Sequence, residues 1–385
     1  MIDGPRAAKI EELPQIVKLT SWIFGFEKYG LYEDSLLPHV FCSRNIENLR
    51  VIAVNGEVVS HLAIWKGWLY IYGIKLKVGL VGCVCTHPNY RMKGYASALV
   101  KDAFMKMSKD GVDLVMISGA RSLYSRAGCV EAGILYDYRI PVSILKDLTS
   151  GLEWLKVERY TEDKILDLVN VYQREPVRFR RSLEEFKMLA GRVHLEVQGL
   201  LNIFISYLAD KPISYVALTG GLWEKAMSEL TVPEYAGSRI AIIRTLYEAS
   251  KILGAEYIKL LIPYGDWEFM GLLDKVGLKP KASYAPASLA ILNPVNFIEK
   301  IHPYIEEKIG VNTNFNVKVY DNCFEIHVSG ENIKLEDPRS LVLLIFGKPE
   351  IIRNPDTPKF DFSVFPEILK KVFPMPTITY GLNYI

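Results

Sequence analysis

The sequence predicts an α/β protein: a strand–turn–helix–strand unit that occurs twice, followed by a smaller α+β domain. Three observations predict this. "VGLVGCVCTHPNYRMKGYASALV" (78–100) passes from an apolar strand through a Pro turn into an amphipathic helix, and "VDLVMIS" (112–118) follows as another strand. "TVPEYAGSRIAIIRTLYEASKILGAEYIKLLIP" (231–263) repeats the order Pro turn, helix, Gly and apolar strand. After residue 291 the pattern changes to short alternating strands. The expected domains are 1–145, 146–290 and 291–385, with Pro and Asn interrupting the pattern at the two boundaries.

Taken in order, 51–54, 58–64 and 78–86 read as strands, with Asn55-Gly56 as a hairpin turn. Ala96, Leu99, Val100, Ala103 and Met107 recur at helical spacing, and Gly111 closes that helix. In the repeat, Pro88 aligns with Pro233, Tyr90 with Tyr235 and Ala96 with Ala241. Where the first copy has Arg91 and Gly94, the second has Ala236 and Arg239. Further on, "FNVKVY" and "CFEIHV" alternate around Asp321-Asn322 as a hairpin. Asp337-Pro338 opens a helix, and 362–373 reads as another.

Composition removes several classes of function. With 46 Lys+Arg against 44 Asp+Glu, the net charge of +2 gives no basic excess for general nucleic-acid binding. "LNIFISYLA" and "SLVLLIFG" are far too short to span a membrane, and the N-terminus lacks a signal-peptide pattern. A cytoplasmic protein is expected. Cys42, Cys83, Cys85, Cys129 and Cys323 form neither a disulfide framework nor a zinc pattern. The six histidines have no metal-ligand spacing, so no metal is expected. A P-loop, a GxSxG elbow and a complete GxGxxG are absent.

The helix after the Pro turn begins with basic residues, although a helix N-terminus favours negative charge. An external anion resolves the conflict. Gly94 lets an anion approach the backbone, successive N–H groups from Met92 to Ser97 can cradle it, and Arg91 and Lys93 add opposite charge. The bland alternative is a Gly-containing turn with solvated basic residues.

The spacing P-x-x-R-x-x-G-x-A at Pro88, Arg91, Gly94 and Ala96, after an apolar strand, resembles the acyl-CoA motif of the GNAT superfamily of N-acetyltransferases. Ala96 departs mildly from the Gly common at the last place. The resemblance implies acetyl-CoA as co-substrate, held by Arg91, Met92, Lys93, Gly94, Tyr95, Ala96 and Ser97. Val84, Cys85 and Thr86 would flank the thioester, with Gly119 and Ala120 beside them. Downstream, Tyr124, Arg126 and Gly128 match a Y-x-x-x-G-like context, which makes Tyr124 the implied acid for the departing thiolate. Packing beside Leu123 and Ala127 is the alternative for Tyr124.

The order of an active unit, a degenerate second unit and a sterol-carrier-like C-terminal domain resembles the enhanced intracellular survival (Eis) group. That likeness implies tandem GNAT folds, a base supplied by the α-carboxylate of Ile385, and closed homo-oligomers (trimer or hexamer). The acceptor would be a primary amine of a small or flexible molecule, aminoglycoside- or polyamine-like. A protein lysine or N-terminus, or a non-catalytic acyl-CoA- or lipid-binding role, are the alternatives. Trp22, Phe26, Glu27 and Trp65 are candidates to line an acceptor pocket, and core or interface packing is the other reading of each. His61 and His87 read as structural.

Overall fold

Near the N-terminus the apolar runs form an antiparallel meander. β1 (Ile2–Ala7) pairs with β2 (Leu49–Val54), β2 with β3 (Glu57–Ile71), and β3 with β4 (Ile74–Thr86). This is a computed structural model, and it describes every residue except 192, 195–198, 221–227, 312–314 and 321–322. Between β1 and β2 lie the helices α1 (Leu13–Phe24) and α2 (Glu33–Leu36). Asn55 and Gly56, both at positive φ, close the first hairpin as an Asn-Gly pair favours.

The next two strands are longer than their alternation suggested. They pair out to Ile71 and Ile74, across a second two-residue turn at Tyr72 and Gly73, again both at positive φ. The segment 65–73 is therefore the outer half of β3 and its turn. Its aromatic content masked the period, since Trp65, Leu69 and Ile71 are buried while Lys66, Trp68 and Tyr70 are less so.

From β4 the chain passes through a turn at Pro88–Tyr90 into α3 (Tyr95–Lys109), then into β5 (Leu114–Ile117), parallel to β4. One face of α3 buries Leu99, Val100, Ala103 and Met107. The Met107 sulfur occupies the space a Cβ on Gly79 would need, so glycine there lets the helix rest on β4. A short helix, α4 (Ser122–Ser125), precedes β6 (Val130–Ala132). The sheet is completed from far along the chain. Ala287–Ile291 lies antiparallel between β5 and β6 and pairs with both.

Two compact units result. Met1–Gly133, Ala285–Met375 and Ile385 form the first, and Ile134–Tyr284 with Pro376–Tyr384 form the second. The changes at 133–134 and 284–285 differ from the boundaries expected at 145–146 and 290–291. Leu135–Pro141 pairs along Tyr257–Pro263 in the second sheet, as Ala287–Ile291 pairs in the first. Periodicity shows that a strand exists, whereas its partner decides the unit to which it belongs.

The second sheet runs Lys156–Arg159, Asn202–Leu208, Lys211–Thr219, Glu229–Gly237, Tyr257–Pro263, Leu135–Pro141, Lys281–Ala282. Its parallel pair is Glu229–Gly237 with Tyr257–Pro263, joined by the helix Arg239–Leu253. This order matches the seven-strand path of the first sheet. Tyr138, Phe204, Leu230, Ile242, Leu246 and Phe269 are among the residues of its core.

Within the first unit, Pro294–Ile309 is a helix whose Lys300 and Asn296 reach the buried Asp113 at 2.6 and 2.9 Å. Phe315–Tyr320 and Cys323–Val328 pair antiparallel, while the expected turn residues Asp321-Asn322 lie outside the described residues. A helix at Arg339–Phe346 follows Asp337, whose Oδ1 accepts from the Arg339 N–H at 2.9 Å. In place of one helix over 362–373, a 3-10 turn at Phe362–Val364 and a helix at Glu367–Val372 flank Pro366. Proline cannot supply the interior N–H, so the helix starts after it.

Candidate active site

The centre of the first sheet is opened deliberately. β4 opposes β3 with Gly82 against Ala63 and Cys85 against His61, so Cys83 and Val84 together face Leu62 alone. This is a β-bulge, and Cys83 takes the positive φ of 53° that the extra residue requires. On its other side β4 pairs with β5 only as far as Val81 with Ile117. The two strands are parallel, so the segments after Val81 and after Ile117 leave the sheet at the same end. Val84, Cys85 and Thr86 line one side of that opening, and Gly119, Ala120 and Tyr124 follow on the other.

The opening leads to the mouth of α3. Met92 at φ 61° and Gly94 at φ 79° turn the loop, and the first backbone bond of the helix is from the Ala98 N–H to the Gly94 carbonyl. Among the described residues, the N–H groups of Met92, Lys93, Gly94, Tyr95, Ala96 and Ser97 have no acceptor. A Cβ built on Gly94 meets nothing within 4 Å. Six neighbouring donors at a helix N-terminus, with open space before them, fit the pyrophosphate of an acyl-CoA. The Arg91 Nε donates to the Thr86 carbonyl at 3.3 Å, tying the loop to the end of β4. Lys93 lies 4.9 Å from the Tyr90 ring centroid.

Tyr124 sits in α4, 6% exposed, within the core cluster that also holds Leu99, Ile117 and Cys129. Its ring leans on Gly119, where a Cβ would come within 2.8 Å of Cε2. Gly119 is held in turn by the Ser288 hydroxyl, which donates to its carbonyl at 2.7 Å. Burial raises the phenol's pKa, which keeps it protonated. Leu123 and Ala127 pack against the same cluster.

Ile385 also reaches this strand. A Cβ on Gly82 would lie 2.6 Å from the terminal carboxyl carbon and 2.6 Å from its oxygen, so only glycine admits the chain end there. Ile385 is 4% exposed. The terminal carboxylate thus lies one residue before the bulge.

On α1 and the turn after it, the Trp22 ring lies 5.2 Å from His87, and His87 lies 5.7 Å from Tyr90, forming an aromatic row beside the Pro turn. Phe26 packs with Phe24 at 6.4 Å, and Glu27 shares its 3-10 turn. Trp65 lies on β3. It is buried, its ring lies over Gly67, and it meets His39 edge-on at 6.5 Å. His61 is fully buried with Nδ1 3.2 Å from the Arg50 carbonyl, and burial pushes its pKa down to about 3, so it stays neutral. Burial raises the thiols of Cys83, Cys85 and Cys129, which keeps them protonated and poor nucleophiles.

One group here was not foreseen. Glu33, at the start of α2, is 1% exposed. The Ser21 hydroxyl donates to its Oε2 at 2.6 Å and accepts from the Glu33 N–H at 3.2 Å. Its Oε1 is buried and has no partner among the described residues. Burial pushes the carboxyl pKa up to about 7. Its charge in turn adds to the effect of burial in raising the thiols of Cys83 and Cys85, on the bulged stretch of β4. In sequence, an acid in a helix's first turn is an ordinary partner for the helix dipole, and nothing local marked it.

In the second unit the corresponding entrance is closed. Ala217 opposes Glu234 and Thr219 opposes Thr231, so Val232 and Pro233 face Leu218 in a bulge. Pro233 therefore corresponds to the bulge residue Val84 and lies inside a strand, where the sequence alignment had matched it to Pro88 in a turn. The helix begins at Arg239 with Ser238 as N-cap, so Ser238, not Arg239, stands where Gly94 does. Arg239 is bound by Glu175 at 2.8 Å and Asp266 at 2.9 Å. Glu175 accepts from the Gly237 N–H at 2.6 Å, and Ser238 Oγ accepts from the Ala241 N–H at 3.4 Å. Below it, Glu234 binds the buried Arg181 and accepts from the Leu382 N–H at 2.9 Å, and Arg181 donates to Asn383 at 2.7 Å.

Among the described residues no helix is long and apolar enough to cross a membrane. No group of three or more His, Cys, Asp or Glu side chains is arranged to hold a metal ion among them either.

Known proteins share this fold. Residues 5–132 match the model of the Acetyltransferase (GNAT) domain. A comparison with curated proteins finds no match. Among solved structures, a GCN5-related N-acetyltransferase from Anabaena variabilis superposes with a TM-score of 0.63 at 17% identity, covering 90% of each chain. A conserved protein of unknown function from Enterococcus faecalis, titled a probable N-acyltransferase, gives 0.63 at 12%, covering 90% of this chain and 89% of its own. Eis1 from Mycobacterium abscessus gives 0.60 at 13% identity, covering 90% of each. At these identities the solved structures show the fold. The domain match likens residues 5–132 to a GNAT acetyltransferase domain.

Proposed function

We propose that this protein is an N-acetyltransferase that moves the acetyl group of acetyl-CoA to a primary amine of a small or flexible acceptor, polyamine- or aminoglycoside-like, by direct attack. The observation that carries the reading is the row of unpartnered N–H groups from Met92 to Ser97 next to a bulged strand whose far edge is open. The first would hold the pyrophosphate. The second offers backbone groups to the pantetheine arm and the thioester carbonyl, where an oxyanion develops.

The residues then divide the proton work. The neutral amine forms a bond to the thioester carbon, and the C–S bond breaks. Tyr124, kept protonated by burial, donates to the departing thiolate. The Ile385 carboxylate, beside Gly82, takes or relays the proton lost by the amine. The buried thiols leave no role for a covalent enzyme intermediate.

In this reading the two sheets are tandem GNAT folds, the second without a CoA site, and the segment 291–385 is a sterol-carrier-like domain. The shared strand order supports the first part. Assembly as a closed homo-oligomer, trimer or hexamer, and a cytoplasmic location belong to the same proposal.

The test is thiol release from acetyl-CoA in the presence of amines and peptides. Release that depends on a small amine supports the reading, release with peptides alone transfers it to a protein lysine or N-terminus, and tight binding without turnover leaves an acyl-CoA-binding module. Two residues added after Ile385 should leave acetyl-CoA affinity unchanged, measured by calorimetry, and lower turnover at least tenfold, as should Tyr124→Phe. A folded, fully active extended enzyme would remove the carboxylate from the mechanism.

A further inference from the structure

Glu33 is a carboxyl group that the fold keeps out of water without completing its hydrogen bonds. One oxygen is held by Ser21 and the other has no partner among the described residues. A buried, unsatisfied carboxyl oxygen is costly, and its persistence calls for a ligand that completes it. Its neighbours narrow the ligand. The titratable groups that interact with it electrostatically are Asp34 on its own helix and the thiols of Cys83 and Cys85 on β4. Ser21 is what α1 presents, and among the described residues no cation offsets the charge. An acidic group without a cation beside the bulged strand is complementary to an ammonium.

We propose that Glu33 is the inner anchor of the acceptor site, its free Oε1 accepting a hydrogen bond from the ammonium of a slender, unbranched primary alkylamine. This rests on the acetyltransferase reading above and adds the acceptor's shape. Glu33 is 1% exposed, which sets the steric demand of the proposal: the acceptor must carry its amine on a narrow methylene chain rather than on a sugar ring. Trp22, Tyr29 and Tyr32, each about half exposed on the same stretch of chain, supply apolar and aromatic surface for the methylenes. Burial holds the carboxyl near half-ionised at neutral pH, so binding the ammonium draws it into the charged form. Glu33, once ionised, then holds the ammonium and is itself able to accept the proton released on attack.

The test uses the full chain with spermidine as the probe amine. Glu33→Gln keeps the shape and removes the charge. It is expected to raise the KM for spermidine at least tenfold, leave the calorimetric affinity for acetyl-CoA unchanged, and abolish a rise of kcat/KM for the amine through about pH 7. Unchanged KM and an unchanged pH profile would overturn the proposal, as would a wild-type enzyme that acetylates ring-bound amines as well as spermidine. If Glu33→Gln does not fold, Ser21→Ala is read instead. Losing the donor to Oε2 should move the pH rise upward, and an unmoved rise overturns the proposal. Wild-type enzyme with no amine-dependent thiol release defeats the acetyltransferase reading itself, a result distinct from wild-type activity that Glu33→Gln leaves untouched.

Discussion

Burying a carboxyl group without a counter-ion weakens the folded state wherever that group must ionise, and Glu33 is buried in this way. Its pKa is raised from 4.5 to about 7, so the protonated form favours the fold. That advantage is fully present below pH 4.5 and is lost as the pH rises through about 7. Above that, the penalty is of the order of 3 kcal/mol, since a tenfold change in an ionisation constant corresponds to about 1.4 kcal/mol. Glu33→Gln should therefore raise Tm by several degrees at pH 9 and change it little at pH 5, a pattern that differential scanning calorimetry can read. An equal change at both pH values would mean that Glu33 is paired in solution. The residue scale is also where the sequence was least legible. Glu33 and Gly82 carry no local signature, because one is defined by burial and the other by the chain end that lies against it. Tyr124 and Ile385 were nameable only through likeness to a family.

At the scale of elements, the strand–loop–helix of β4 and α3 was legible because it is local. Glycine at the N-cap, basic neighbours and an apolar stripe at helical spacing all fall within one short stretch, and the loop takes the positive φ values that stretch implies. The bulge was not legible, since it exists only in the register between β3 and β4. The same blindness misaligned the repeat, where Pro233 was matched to a turn residue and in fact occupies a bulge. The cradle gives the prediction that belongs here. Gly94 at φ 79° opens onto empty space, so Gly94→Glu places a negative side chain before the six free donors. The αL strain should cost about 1–2 kcal/mol of stability, which the fold can absorb, while calorimetric affinity for acetyl-CoA falls at least a hundredfold. A folded variant that binds acetyl-CoA normally would place the pyrophosphate elsewhere.

At the scale of the molecule, two sheets of the same strand order are each completed by a strand that the local pattern assigned to the other side of a boundary. The likeness of the sheets raises the question of whether both bind CoA. Three changes in the second argue against a site there. Its bulge carries Pro233, which has no N–H to offer a thioester carbonyl. Its helix entrance has Ser238 as cap, with the Ala241 N–H already taken. Arg239 is held between Glu175 and Asp266, so its charge is neutralised by two carboxylates that would repel a phosphate. Breaking this cluster from one side does not create a site, because an unpaired buried acid then remains. Calorimetric titration of the full chain with acetyl-CoA should therefore give one site per chain. Arg239→Gly should leave that number at one and destabilise the protein by roughly 3 kcal/mol or more, as expected when a buried pair loses one partner. A stoichiometry of two in the wild type would show that the second entrance opens in solution and that its ion pairs yield to a phosphate.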